Sequence, residues 1–340
     1  MQKILISLLV LMLISCKKST KNPVETLSYN TVQQQITTKE TQRILFTLAA
    51  DSMKGRDTKN RGYFKAADFI TDYLKLNNIK PFYSDYRDSL VTDNLVSYNL
   101  VGQLGDYCPQ RKTVLIGAHL DHIGIRGIEG DTIYNGANDN ATGCTAVLQI
   151  GKFLAQYQWK QNVLLALFAD EEKGLKGAQH LAKQFQVENI DLAYMVNFEM
   201  IGKTLTTGAN QVYITGYNRS NMANVMNTIA PNFVQFLPQA KKLNLFQRSD
   251  NYPFFRQLNI PAQTLSSFDF QNYNYYHKAE DEAEKMDIEN MNQIIQTAAF
   301  TLAKMLGNTI EMKLIDTSSN LQGQMTYPYD TMNTRSLILE

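Results

Sequence analysis

The chain has 340 residues, of which 44% are hydrophobic and 19% are charged, with 33 basic side chains against 32 acidic ones. This composition excludes disordered and collagen-like proteins, which have a much lower hydrophobic content or far more than the 18 glycines and 8 prolines present here. Because there is no basic surplus to neutralise phosphates, we also expect no nucleic-acid partner.

The first fifteen residues have the pattern of an export signal. Lys3 supplies a positive charge, and residues 4–14 are almost continuously apolar. This run is too short to span ~30 Å of hydrocarbon as a helix, but it fits a signal peptide at residues 1–15. The residues Leu-Ile-Ser before Cys16 match a bacterial lipobox, which predicts acylation of Cys16. The alternative is an ordinary signal peptide with an incidental cysteine.

Acylation of Cys16 would make the protein a membrane-anchored lipoprotein of the cell envelope, facing the periplasm or the cell surface. Residues 16–30 are polar and aperiodic, as expected for the lipid anchor and a tether to the domain. The two other cysteines, Cys108 and Cys144, could pair in an exported chain. Since Cys144 lies in an apolar helical pattern, a buried free thiol is the favoured interpretation.

Helix and strand patterns alternate through the next part of the chain. Apolar residues recur at helical spacing over residues 41–50, 63–76, 141–156 and 174–185. Strand-like segments occupy residues 94–101, 113–118, 163–169 and 193–198. The last three are apolar on both faces, which indicates strands covered on both sides.

This alternation predicts an α/β protein: a three-layer α/β/α sandwich around a mixed, mostly parallel sheet. We find no internal repeat or linker within residues 31–310, which we therefore assign to one domain. Residues 311–340 lose clear periodicity and are predicted to form a C-terminal tail.

Residues that can bind metal follow the three buried strands at their carboxyl ends: His119, Asp121 and His122 after the first, Asp170, Glu171 and Glu172 after the second, and Glu199 after the third. Asp139 opens the helical segment between the first two strands. Ligands of open α/β sheets bind at this edge. Because gathered carboxylates disfavour one another's ionised form, a cation is expected among them. Imidazole with carboxylates is a ligand set for zinc or another divalent transition metal.

Each of these residues has an ordinary structural interpretation when it is taken alone. A single histidine after a strand is more often hydrogen-bonded than metal-bound, and Asp139 could cap the following helix. The acidic residues 170–172 could form the first turn of the next helix. Their occurrence together at one edge of the predicted sheet favours the metal site.

Five ordered motifs resemble the zinc aminopeptidases of the M28 peptidase family. They are AHLD at 118–121, GANDNATG at 136–143, DEEKGLKG at 170–177, NFEMIG at 197–202 and YH at 276–277. The resemblance covers roughly residues 40–305 and includes Gly55-Arg56 and Ser249-Asp250. It implies a zinc exopeptidase-like fold with peptides as substrates.

The resemblance implies two divalent metal ions, with Zn²⁺ as the expected metal. His119 and Glu199 would complete one site, Glu172 and His277 would complete the other, and Asp139 would bridge them. The family usually has aspartate where this chain has Glu199. The extra methylene changes the reach of that carboxylate, and it puts the metal affinity of the His119 site in question.

The resemblance also implies roles for residues beside the metal. Glu171 would be the general base, taking a proton from the attacking water. Asp121 would fix the tautomer of His119 through its carboxylate. The Asp139–Asn140 peptide is implied to be cis. His122 receives no role, although its position allows a contact with substrate.

These inferences together predict a zinc-dependent aminopeptidase. One alternative is a glutaminyl cyclase-like acyltransferase on the same fold, for which a single zinc suffices; the full set of five ligands argues against it. Another is a catalytically inactive binding lipoprotein, but no ligand or base is missing. The aromatic residues 273–276 beside His277 could form a wall of the site or pack in the core.

Overall fold

The computed structural model describes residues 27–92 and 94–315. The predicted signal peptide, Cys16 and most of the predicted tether and C-terminal tail lie outside the described residues. The last tether residues pack on the domain, since Leu27 is buried and a helix begins at Tyr29. Residues 311–315 also contact the domain, where Leu314 forms a β-bridge with Ser220.

Nine α-helices occur within the described residues: α1 (Tyr29–Gln35), α2 (Thr38–Leu48), α3 (Arg61–Leu76), α4 (Thr142–Leu154), α5 (Lys176–Val187), α6 (Met222–Ile229), α7 (Pro238–Lys242), α8 (Asn251–Leu258) and α9 (Ile288–Gly307). The four predicted helical segments correspond to α2, α3, α4 and α5. Among the described residues no helix combines the length and the apolar composition that crossing a membrane requires.

The same part of the chain has eleven strands: β1 (Lys80–Pro81), β2 (Arg87–Thr92), β3 (Leu95–Gln103), β4 (Thr113–His119), β5 (Gly124–Ile125), β6 (Ile133–Tyr134), β7 (Asn162–Phe168), β8 (Leu192–Phe198), β9 (Val212–Ile214), β10 (Val234–Gln235) and β11 (Ala262–Ser266). The four predicted strands correspond to β3, β4, β7 and β8.

Nine of these strands form one mixed sheet. Its order is β1-β3-β7-β4-β8-β11-β9-β10, with β2 paired to β3. The central strands β7, β4, β8 and β11 are parallel, whereas β3 and β9 run antiparallel to their central neighbours. The remaining strands, β5 and β6, form a separate hairpin.

Strand β4 shows how the sheet comes to be covered on both faces. Val114 and Ile116 pack in the same apolar cluster as Leu148 of α4. Leu115, between them, belongs to a second cluster with Phe254 of α8. Consecutive side chains of a strand point to opposite faces, so an uninterrupted apolar run fits a strand between two helical layers. The predicted three-layer α/β/α sandwich is confirmed.

The sheet order also places the predicted metal ligands. Strand β4 lies between β7 and β8, and all three run in the same direction. Their carboxyl ends therefore meet at one edge of the sheet. The residues that follow these strands therefore converge at that edge.

Candidate metal centre

His119 and Glu199 meet because β4 and β8 are neighbours. The Nε2 atom of His119 lies 3.0 Å from Oε1 of Glu199 and 3.3 Å from Oδ1 of Asp139. All three side chains are buried. We call this group of His119, Asp139 and Glu199 the His119 triad.

A second group forms around His277, in the loop that precedes α9. The Nε2 atom of His277 lies 3.1 Å from Oδ2 of Asp139 and 3.2 Å from Oε2 of Glu172. We call Asp139, Glu172 and His277 the His277 triad. Asp139 thus offers one carboxylate oxygen to each triad, and the structure brings together all five side chains predicted as ligands. The His277 side chain is 36% exposed, against 1% for His119, so the second triad is the more open one.

Asp139 is positioned through its backbone. The carboxylate of Asp281 accepts hydrogen bonds from the backbone N–H of Asn138 at 2.8 Å and of Asp139 at 3.1 Å. The hydroxyl of Tyr273 donates to the same carboxylate at 2.7 Å. The Asp139–Asn140 peptide is cis, as the family resemblance implies. Sequence reasoning missed Asp281, because it lies in an acidic stretch typical of a solvated loop.

The loops around the site are joined by a buried arginine. The guanidinium of Arg56 donates to the backbone carbonyls of Leu120 and Gly136, at 2.8 Å each. These loops carry His119 and Asp139. The motif containing Arg56 entered the sequence argument only as part of a resemblance, and the structure shows what the side chain holds together.

Asp121 makes a different contact from the predicted one. Its carboxylate was expected to bind Nδ1 of His119, but Oδ1 lies 3.9 Å away, whereas the backbone carbonyl of Asp121 lies 3.0 Å from that nitrogen. A carbonyl can only accept, so Nδ1 donates to it. The Asp121 carboxylate instead accepts from the backbone N–H of Glu171 at 3.0 Å and of Glu172 at 3.3 Å. It therefore holds the turn after β7.

Glu199 divides its two oxygens between two partners. Oε1 faces His119, and Oε2 accepts a hydrogen bond from Oγ of Ser249 at 2.7 Å. Ser249 was noted in the sequence as part of a motif without a role of its own. With one oxygen held by Ser249, Glu199 presents the other to the His119 triad despite its longer side chain.

Glu171 lies beside the His119 triad. One of its oxygens is within 4.8 Å of ligand atoms of His119 and Glu199. Burial raises the pKa of Glu171 well above its usual value; the charge of His119 acts against this, and Glu172 adds to it. A carboxyl group that can hold a proton next to a ligand cluster is suited to proton transfer.

His122, for which the sequence suggested no role, contacts the other triad. Its Nδ1 lies 2.8 Å from Oε1 of Glu172 and 3.7 Å from Oδ2 of Asp139. The ring packs edge-on against His277 at 5.6 Å. Among the described residues its Nε2 has no hydrogen-bond partner. Its position three residues after His119, past the same strand end, was the available signal.

The charges of the site depend on its imidazoles. Burial alone would lower the pKa of His277, but Glu172 and Asp139 raise it to about 11. Burial likewise opposes protonation of His119, yet Glu199 and other carboxylates raise its pKa well above the usual value. Within residues 27–92 and 94–315, no lysine or arginine forms an ion pair with the carboxylates of either triad.

Positive charge at the two triads must therefore come from imidazole protons or from a bound cation. Ligand atoms of His119, Glu171 and Glu199 lie within 4.8 Å of one another, and so do those of His122, Asp139, Glu172 and His277. Each of these two sets is compact enough to surround an ion. Imidazole and carboxylate are ligands of zinc and related divalent metals. The residues present thus fit a metal centre.

A cavity opens beside the triads. Outside the ligand cluster its lining includes Met200, Tyr213, Thr215, Leu245, Arg248, Phe270 and Tyr276. The ring of Tyr276 stacks on His277 with the ring centroids 4.0 Å apart. Since Tyr276 lines the cavity while Tyr273 binds Asp281 in the interior, the aromatic stretch contributes both to the site and to the core.

Comparison with known proteins gives a family match and similar folds. The family model described as "Peptidase family M28" matches residues 99–302. A probable zinc metalloprotease of Pyrenophora tritici-repentis is 34% identical over 90 residues, which cover 26% of this chain and 21% of that protein. The match therefore spans about a fifth of the relative's length.

Two solved structures are similar in fold. The Legionella pneumophila LapA aminopeptidase superposes with a TM-score of 0.66 and 18% identity, covering 86% of this chain and 78% of that one. The Porphyromonas gingivalis glutaminyl cyclase gives 0.62 and 13% identity, over 80% and 99% of the two chains. Because the family model matches more than half of its residues, the chain belongs to peptidase family M28.

Proposed function

We propose that the protein is a zinc-dependent aminopeptidase, which removes N-terminal residues from peptides by hydrolysis. The observation that carries this proposal is the pair of triads sharing Asp139, with the buried carboxyl group of Glu171 beside them. Membership of the M28 family supports a peptidase, and the fold shared with an aminopeptidase supports cleavage at the N-terminal end.

The proposed site would hold two divalent ions. His119 and Glu199 would complete one site, Glu172 and His277 would complete the other, and Asp139 would serve both. When bound, such a pair of ions activates a water as nucleophile and polarises the scissile carbonyl. His122, through its contact with Glu172, orients that carboxylate.

Glu171 is the proposed general base. It takes a proton from the attacking water and hands it to the leaving amine. The two N–H bonds to the Asp121 carboxylate hold the turn that presents Glu171.

The runner-up is cyclisation of N-terminal glutamine, which the fold shared with a glutaminyl cyclase favours. Such a reaction needs no attacking water and only one ion. Five convergent side chains exceed what one tetrahedral ion needs, so hydrolysis remains the preferred function. An inactive binding protein is disfavoured, since neither the base nor a ligand is missing.

We further propose that the enzyme is anchored in the cell envelope, facing the periplasm or the surface. The support is the lipobox before Cys16 in the sequence. Cys16→Ser should abolish labelling by radioactive palmitate and release the protein from membranes. Labelling that persists in this variant contradicts the anchor.

The enzymatic proposal is tested with leucine p-nitroanilide and with a peptide beginning in glutamine. Wild-type protein should contain one to two divalent ions per chain, cleave both substrates, and lose activity to a chelator. Glu171→Gln should keep the metal but lose about 10²–10⁴-fold in kcat. Glu188→Gln removes an exposed carboxylate and serves as the matched control.

Three outcomes would oppose the proposal. Metal-free protein with full activity, or Glu171→Gln at the wild-type rate, contradicts the mechanism. A cyclised product from the glutamine peptide, identified by mass spectrometry, with no cleavage of leucine p-nitroanilide establishes the cyclase instead.

A further inference from the structure

One cationic side chain lies at the cavity beside the triads. Among the described residues that line this cavity, Arg248 is the sole lysine or arginine. It comes between a short 3₁₀ turn (Leu245–Gln247) and helix α8, directly before Ser249. Since Ser249 bonds to Glu199, Arg248 is one residue away from a contact with the His119 triad.

Within the described residues the guanidinium of Arg248 has no hydrogen-bond or ion-pair partner, although Arg248 lines a cavity that contains carboxylates. No carboxylate of the described residues lies within 4.0 Å of its guanidinium. In contrast, Arg43 forms a bidentate pair with Glu40, and Arg56 donates to buried carbonyls. A half-buried guanidinium normally has an acceptor, because partial burial removes much of its hydration.

The charge of Arg248 reaches the cavity wall. Burial raises the pKa of Tyr213, and the Arg248 charge acts in the opposite direction. Tyr213 lines the same cavity. The guanidinium is therefore close enough to the wall to act on groups inside it.

The other residues that line the cavity are either acidic ligand candidates or carry no fixed positive charge. Its floor carries four carboxylates: Asp139, Glu171, Glu172 and Glu199. The other wall residues are apolar, aromatic or hydroxyl-bearing. Beyond the ligand cluster, Arg248 thus offers the cavity's one fixed positive charge within the described chain. Guanidinium and carboxylate match as a bidentate pair, which is the geometry that arginine favours.

We propose that Arg248 binds a carboxylate of the peptide substrate, so that the enzyme selects short peptides with a free C-terminus or peptides with an acidic residue near the scissile bond. This subsite rests on the proposed aminopeptidase function. The bound carboxylate fixes the part of the peptide that follows the scissile bond, while the scissile carbonyl lies at the triads.

Three substrates separate the two sources of the carboxylate: leucyl-alanine, leucyl-alanine amide and leucyl-glutamate amide. Wild type should favour at least one acidic substrate over leucyl-alanine amide by about 10–100-fold in kcat/KM, as expected for a charge-assisted hydrogen bond. Preference for leucyl-alanine identifies the terminal carboxylate, and preference for leucyl-glutamate amide identifies the side chain. Equal rates on all three overturn the proposal.

Variants of Arg248 test whether this residue causes the preference for acidic substrates. In Arg248→Gln the acid-to-amide ratio should fall toward one, while Arg248→Lys should retain part of it. Arg111→Gln removes a charge at the opposite edge of the sheet, before β4, and should keep the wild-type ratio. A ratio unchanged in Arg248→Gln contradicts the assignment.

Failure of the subsite is distinguishable from failure of the enzymatic function. Cleavage of leucine p-nitroanilide without any preference for acidic peptides leaves the aminopeptidase intact and rejects the subsite. If no substrate is cleaved, calorimetric titration of the zinc-loaded protein with leucyl-alanine and its amide decides. Tighter binding of the acid that is lost in Arg248→Gln supports the subsite, and equal affinities reject it.

Discussion

Asp170 and Glu172 lie two positions apart after β7, yet their carboxylates are neutralised by different kinds of cation. Asp170 lies 2.8 Å from Nζ of Lys173. Glu172 lies 2.8 Å from Nδ1 of His122 and 3.2 Å from Nε2 of His277. Burial alone would raise both pKa values, but the hydrogen bonds of Asp170, led by Lys173, lower the pKa of Asp170, and His277 lowers that of Glu172 to about 2.

The difference lies in whether the positive charge can be exchanged. Lysine keeps its proton throughout the neutral range, so Asp170 is permanently paired. Imidazole can release its proton and present a lone pair to a metal ion. The turn after β7 therefore places one carboxylate in a structural ion pair and another in the proposed metal site, where protons and metal ions would compete for the same positions.

The largest effect that would test this contrast comes from Glu172→Gln. Loss of a direct ligand should reduce kcat/KM by more than the about 10–100-fold change in affinity or activity that follows loss of an outer-shell partner. Metal content should fall by at least one ion per chain, measured by elemental mass spectrometry. Glu188→Gln, with the same change at an exposed position, should behave as wild type. Full metal content and activity in Glu172→Gln would remove this carboxylate from the ligand set.

The exchange of protons for metal predicts a steep pH dependence of zinc affinity. Without metal, the raised pKa values of His119 and His277 keep both rings protonated at neutral pH. Each ring must lose its proton to bind zinc, so affinity should rise about a hundredfold from pH 6 to pH 7, tenfold for each proton displaced. Calorimetry in buffers of different ionisation enthalpy counts the released protons. A count of zero would show that the rings are neutral before metal binds.

A smaller effect is expected at the permanent pair. Asp170→Asn should lower the free energy of unfolding by about 2–3 kcal/mol, because it removes one partner of a buried, charge-assisted contact. Zinc content and kcat/KM should change little. Asp72→Asn is the matched control, since Asp72 and Lys75 have the same spacing but are largely exposed. An exposed pair contributes at most about 1 kcal/mol.

The sign of the pH effect provides a second check on Asp170. Its pKa is lower in the folded than in the unfolded chain, so its stabilisation is present above the unfolded value of about 3.9 and is lost as the pH falls through the folded value. The stability difference between wild type and Asp170→Asn should therefore shrink in urea titrations below about pH 4. A difference that stays constant with pH would attribute the loss to packing.

The sequence predicts the central part of this site well because its ligands follow three apolar strands. Once the strands are recognised as parallel neighbours, His119, Glu172 and Glu199 must lie at one edge. The apolar pattern could not show which of the acidic side chains at that edge point toward the triads and which point away from them. In the sequence, residues 170–172 form one acidic cluster. In the structure the backbone of Asp170 is left-handed (φ 52°), and its side chain lies apart from those of Glu171 and Glu172.

Other parts of the fold and site lie beyond such patterns for physical reasons. Strand β11 is buried but contains Gln263, Thr264 and Ser266, so its apolar periodicity is weak. Asp281 is 142 residues from Asp139, whose N–H it binds. Patterns of local residue spacing cannot predict a contact over such a distance in sequence. At Asp121, residue type alone cannot distinguish a bond to the carboxylate from one to the backbone carbonyl of the same residue.

The buried guanidinium of Arg56 links the two loops that lead to the triads. Its bonds to the carbonyls of Leu120 and Gly136 order the loops carrying His119 and Asp139 with atoms of the protein alone. In small zinc domains, by contrast, folding itself depends on the ion. Here the Arg56 contact joins the two loops without using any of the proposed ligand side chains, so the proposed metal is not the sole link between them.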